Sequence, residues 1–146
     1  MNPLILAIDV GNTSIAFGLF SGKKLLLRHR CLTREFAPSK LAPLKRYNGR
    51  ITESILCSVV PQVNAPLERA LKSVLASPVV LLGRDRQVPI PNQTRLPKQV
   101  GMDRLVNAWG AWQRFKRACV VVDFGTATTF DVVNGKGEYV GGIIAP

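Results

Sequence analysis

At 146 residues and 47% hydrophobic, the chain carries enough apolar side chains to bury a core of ordinary single-domain size, which excludes a disordered chain or a repeat array. The balance of 20 Lys plus Arg against 9 Asp plus Glu gives a formal net charge of +11, which suits a nucleotide's phosphates, a nucleic acid or a merely solvated basic surface, and the sign alone does not choose among them. Cys31, Cys57 and Cys119 are too widely spaced for a disulfide framework or a zinc motif and point to a reducing, cytoplasmic setting. The apolar start Leu4 to Ile8 is broken by Asp9, has no basic leader and is far shorter than the roughly 20 residues of a membrane span, so a soluble protein with no membrane partner is expected.

The run Leu4 to Ile8 reads as a buried strand that ends in a tight turn at Asp9-Val10-Gly11-Asn12. A second strand over Ser14 to Phe20, the turn residues Ser21-Gly22-Lys23 and a third strand led by Leu25-Leu26-Leu27 complete a three-stranded meander. Residues 34 to 53, rich in Pro, Lys and Arg, form a short helix or a loop. Ile55 to Val60 is a further strand stopped by Pro61, after which Val63, Leu67, Ala70, Leu71, Val74 and Leu75 recur at helical spacing. Val79 to Leu82 is the next strand, and Gly83 to Gln99 an exposed loop. Leu105, Ala108, Trp109, Trp112 and Phe115 then form the apolar stripe of a helix with Asp103 in its first turn, where the helix dipole favours an acid. Val120-Val121-Val122 is a buried strand ending at Asp123-Phe124-Gly125-Thr126, followed by a strand, the turn Asn134-Gly135-Lys136-Gly137 and a last strand through Tyr139 and Val140.

The opening pattern thus returns: an apolar run, Asp-x-Gly-(Asn/Thr), a strand, a glycine turn and a strand occur at Asp9 and again at Asp123. Glycine lets the backbone approach an anion, exposed N–H groups and the hydroxyls of Thr13, Thr126 and Thr128 donate to phosphate oxygens, and the carboxylates orient a cation or its waters. Two such turns could clamp one triphosphate, which is the positioning and charge neutralisation that phosphoryl transfer requires. A single Asp-x-Gly more often just closes a hairpin; two with matched flanks favour the phosphate reading. The sequence contains neither a G-x-x-x-x-G-K-(S/T) loop nor a G-x-G-x-x-G helix start, so a different phosphate scaffold is expected.

Five segments in order, Ile8 to Thr13, Ser58-Val59-Val60-Pro61, Gly101-Met102-Asp103-Arg104 with Asn107-Ala108, Asp123 to Ala127, and Gly141 to Pro146, resemble the motif set of type III pantothenate kinases. The resemblance implies an α/β chain of ribonuclease H-like (actin-like ATPase) fold. It would have a mixed sheet with an antiparallel meander and flanking helices in residues 1–117, and the first hairpin of a second, similar domain in residues 118–146. It further implies ATP-dependent phosphorylation of pantothenate to 4'-phosphopantothenate, the first step of coenzyme A biosynthesis. In that scheme Asp9, Val10, Gly11, Asn12, Thr13, Ser14, Ile15 and Ala16 form the first phosphate loop and Thr126 donates to the nucleotide from the second. Gly101, Met102, Asp103 and Arg104 contact pantothenate, and Asp103 is the general base. Asp9 helps to hold Mg²⁺, Asp123 helps to bind a monovalent cation (K⁺ or NH₄⁺), and Arg104 pairs with the substrate carboxylate or the transferring phosphate. Thr94 stands where many members carry an aromatic residue, and family chains are longer, so most of the second domain is expected to be missing and the isolated chain to be poorly active. The longer form is expected to be a homodimer.

Two rival readings are a non-catalytic transcription accessory factor and another small-molecule kinase of the same superfamily. The first is disfavoured by the lack of any helix-turn-helix, zinc or RNP signature, so a nucleic-acid partner is not expected; the second by Gly101-Met102-Asp103-Arg104. His29 and Cys31 are too few for a metal site, and the helical spacing of Trp109 and Trp112 assigns them to packing and not to base stacking. Arg84, Arg86, Arg95 and Lys98 form a basic cluster that would steer anionic substrates or lie on a solvated loop.

Overall fold

A computed structural model describes residues 3–146, which divide into two compact units at Arg86/Gln87. In the first unit strands β1 (Leu4–Val10), β2 (Ser14–Ser21), β3 (Lys24–Leu32), β4 (Ile51–Ser58) and β5 (Val79–Leu81) make one mixed sheet in the order β3-β2-β1-β4-β5. β1 pairs antiparallel with β2 and parallel with β4, and β4 pairs parallel with β5. Alternation along β1 sends Leu4, Leu6, Ile8 and Val10 into the core and leaves Asp9 exposed. Helix α1 (Pro61–Leu75) brings Leu67, Ala70, Leu71 and Leu75 to that core, joined by Leu41 and Leu44.

The Pro-rich stretch resolves into short 3₁₀ turns at Thr33–Glu35 and Pro38–Tyr47. Pro43 supplies no N–H and would clash with the preceding turn of an α-helix, which keeps the segment in the tighter form. β4 starts at Ile51, earlier than the apolar run suggested, because its register with β1 shifts between Leu4 and Ile5. That irregularity buries both Ile51 and Ser54 and breaks the two-residue period.

The second unit contains helix α2 (Met102–Phe115) and an antiparallel sheet in the order β6-β7-β8, with β6 (Cys119–Phe124), β7 (Thr128–Val133) and β8 (Tyr139–Ala145). α2 and this sheet lie in one unit, whereas the sequence divided them at 117/118. Ile90, Ala108, Val133 and Tyr139 are its buried apolar residues, so the segment after Gly83 is not wholly exposed as expected: Ile90 enters this core and Asn92 bridges to Tyr139. β6 is not the buried strand its valines suggested, since Val120 is 58% and Val122 41% exposed. An apolar run of period one does not reveal which face is covered, and α2 packs on the face of Cys119, Val133 and Tyr139. Phe115 is likewise exposed, so the helix stripe ends at Trp112, whose ring packs where a Cβ on Gly137 would sit.

Candidate active site

The meander recurs as the sequence indicated, and each unit carries an Asp-x-Gly turn, the second one residue shorter than the first. Asp9 is the penultimate residue of β1 and Asp123 the penultimate residue of β6, and both are exposed. In the first turn Gly11 N–H donates to Ser14 O at 3.0 Å; in the second Gly125 N–H donates to Ala127 O at 3.2 Å. A Cβ at either glycine would stand 3.4 Å from the carbonyl its own N–H contacts.

The first turn is held by a residue that the sequence reading did not single out. Thr33 is buried; its hydroxyl donates to Gly11 O at 2.7 Å and its N–H to Thr13 O at 3.0 Å. Those bonds engage two loop carbonyls with Thr33 and so take them away from any anion that meets the turn. Asn12 and Thr13 are exposed, Ser14 and Ala16 half-buried. Val10 and Ile15 are fully buried, which confines any ligand contact at those positions to their backbone.

In the second unit the motif Gly101 to Arg104 forms the entry of α2, with Gly101 as N-cap and Asp103 in the first turn. Asp103 Oδ1 lies against the place a Cβ on Gly101 would take. Asp103 Oδ1 accepts the Arg104 N–H at 2.9 Å. One turn further along, Asn107 Nδ2 donates to Asp123 Oδ2 at 3.1 Å, which ties the helix to the second Asp-x-Gly turn, where Thr126 is exposed.

The Arg104 guanidinium lies on Asp131, with Nε and Nη2 each 2.7 Å from Asp131 Oδ1. Asp131 is fully buried and also accepts from Tyr139 OH at 2.7 Å and from Thr129 Oγ1 at 3.3 Å. Burial, and then donation to the Asp131 carboxylate, push the Tyr139 phenol well above the usual tyrosine range. A sequence signal for Asp131 existed: one acid in the strand Thr-Thr-Phe-Asp-Val-Val, on the same face as buried Val133. Such an acid demands a buried cationic or hydroxyl partner.

Thr94 is drawn into a local turn, its N–H and hydroxyl donating to Asn92 Oδ1 at 3.1 and 2.8 Å. The basic cluster is half neutralised: Arg84 pairs with Glu68 and Asp85 at 2.9 and 2.7 Å, and Arg86 with Glu53 at 3.1 Å. Steering would therefore rest on Arg95 and Lys98. His29 stacks on Phe17, and among the described residues no three His, Cys, Asp or Glu side chains gather as a metal cage. Exposed carboxylates such as Asp9 and Asp123 suit cations that keep their waters or are held largely by a substrate's phosphates.

A sequence profile of type III pantothenate kinase matches residues 5–146. The chain belongs to the type III pantothenate kinase family. The family member of Syntrophotalea carbinolica is 39% identical over 153 aligned residues, covering 98% of this chain and 60% of that protein. The member of Geobacter sulfurreducens is 38% identical, covering 98% and 60%, and that of Dehalococcoides mccartyi 35% identical, covering 97% and 57%. This type III pantothenate kinase chain thus spans somewhat under two thirds of the length of the relatives it matches. The ethanolamine utilization protein EutJ from Carboxydothermus hydrogenoformans superposes with a TM-score of 0.58 at 13% identity, covering 100% of this chain and 53% of that one. A Ppx/GppA family member from Aquifex aeolicus gives 0.51 at 14% identity, covering 99% and 51%. These likenesses show the fold, that of the actin-like ATPases. No helix of the described residues is long and apolar enough to cross a membrane.

Proposed function

We propose that this chain provides the phosphate turns and the catalytic-base helix for ATP-dependent phosphorylation of pantothenate. The observation that carries the reading is the entry of α2, where Gly101 is the N-cap and the Asp103 carboxylate sits in the first turn beside it. A carboxylate at that place, exposed enough to meet a substrate and fixed by a backbone N–H, is suited to take the proton of a primary hydroxyl. As that oxygen bonds to the γ-phosphorus, the bond from phosphorus to the β–γ bridging oxygen breaks, giving 4'-phosphopantothenate and ADP, with the proton on Asp103.

Asp9 to Ala16 and Thr126 would supply N–H and hydroxyl donors to the triphosphate. Asp9 would hold Mg²⁺ and Asp123 a monovalent cation, K⁺ or NH₄⁺; bound there, such ions neutralise the charge of the phosphates. Thr33 already fixes the loop through the Gly11 and Thr13 carbonyls, which lowers the reorganisation needed to meet anionic oxygens. We further infer a cytoplasmic setting, supported by the three free cysteines, and a homodimeric whole protein, supported by the family resemblance.

The test is phosphopantothenate formation from pantothenate and ATP with Mg²⁺ and K⁺. The chain would be compared with a chimera continued by the remaining residues of the Geobacter sulfurreducens relative, each with Asp103 intact or replaced by Asn. Product from the chimera that disappears with Asp103→Asn supports the reading. A folded, ATP-binding chimera that makes no phosphopantothenate contradicts it.

A further inference from the structure

Asp131 is a buried carboxylate that neither the phosphate turns nor the base accounts for. Its partners form a line of contacts back to the reacting group: Asp103 Oδ1 accepts the Arg104 N–H, and the Arg104 Nε and Nη2 lie on Asp131 Oδ1. Tyr139 OH and Thr129 Oγ1 complete its shell, so the carboxylate has the donors that a charge withdrawn from water needs. The backbone of β8 is cut away to admit the pair: a Cβ on Gly142 would meet Phe130 O and Arg104 Nη2, and would lie 2.9 Å from Asp131 Oδ1. This gives Gly142 a physical use.

We propose that Asp131 is a positioning residue for the substrate motif: it holds the Arg104 guanidinium against β7 and β8 and so fixes the helix turn that carries Asp103. The proposal rests on the kinase reading above. Asp131 also balances the guanidinium's charge. Without that balance, Arg104 stands next to Asp103 in the chain as an unpaired cation and can swing onto the carboxylate that must accept the substrate's proton. Held as it is, the Nε and Nη2 edge faces Asp131 and the Nη1 corner is the part left for a ligand.

The experiment combines two readouts on Asp131→Asn, Asp131→Glu and Tyr139→Phe. The first is the ¹⁵N signal of the Arg104 Nε–H in the 146-residue chain, assigned by its loss in Arg104→Lys. The second is pantothenate turnover in the chimera described above. Expected for Asp131→Asn are a rapidly exchanging Nε–H and a fall in kcat on the order of 100-fold, as for a reacting group displaced by about 1 Å, with KM for ATP unchanged. Asp131→Glu keeps the buried charge paired but moves it by one methylene; it is expected to be more stable than Asp131→Asn and to lose turnover too. Tyr139→Phe removes another donor from the same carboxylate while leaving Arg104 in place, so it should lose stability and keep turnover and a protected Nε–H. A protected Nε–H in Asp131→Asn, turnover within about twofold in both Asp131 variants, or an equal loss in Tyr139→Phe would each overturn the proposal. A chimera with unaltered Asp131 that makes no product refutes the kinase reading itself, whatever the Arg104 signal does.

Discussion

The hydroxyl of Thr33 braces the Gly11 carbonyl, and replacing it by the near-isosteric valine removes that bond. The donor–acceptor distance is 2.7 Å and Thr33 is 7% exposed, so water does not readily replace the lost partner. Removing a hydrogen-bond donor from a shielded carbonyl costs about 1–2 kcal/mol. For a unit of this size that lowers Tm by roughly 4–15 °C. Passed in full to the loop's ability to present its N–H groups, the same energy is a factor of about 5–30 in nucleotide affinity. Differential scanning fluorimetry and a titration with Mg²⁺–ATP would read both quantities in Thr33→Val and Thr33→Ser. Serine keeps the hydroxyl and should stay near the unaltered chain. Valine with unchanged Tm and nucleotide affinity would refute the idea that the Thr33 hydroxyl sets the phosphate turn.

Helix α1 ends on Ala76 at φ 49°, a left-handed conformation that burdens a side chain with a Cβ, so Ala76→Gly should raise stability by about 0.5–1 kcal/mol in urea titration. The Tyr139 phenol has a folded-state pKa above its unfolded value, so its contribution is complete below the ordinary tyrosine pKa of about 10 and is lost as pH rises through the folded value. Stability should therefore fall above about pH 10, and Tyr139→Phe, though less stable at neutral pH, should show a shallower fall in the same thermal scans.

Much of the architecture was legible because apolar period and turn chemistry agreed. The alternation of β1, the glycine turn after β2 and the helical spacing of Leu67, Ala70, Leu71 and Leu75 each depend on neighbours in sequence. The repeated Asp-x-Gly turn was legible for the same reason, as was the place of Asp103 at the start of a helix. What escaped depends on distant partners. Thr33 acts on carbonyls of the β1–β2 turn, and nothing in its own flanks marks it. The bond between Arg104 and Asp131 was hidden because Asp131 lies across the unit, on the face that α2 covers. The exposure of Val120 and Val122 was hidden because a run of valines carries no face information. The early start of β4 was masked by its bulge.

The central claim is that the Asp103 carboxylate is the base that receives the substrate's proton. The most direct measurement is single-turnover formation of phosphopantothenate by the chimera and by its Asp103→Asn form, at saturating ATP and pantothenate. The account predicts a loss of about 10²–10⁴-fold in the chemical step, with ATP binding retained. A chemical step within a few-fold of the unaltered protein would contradict it.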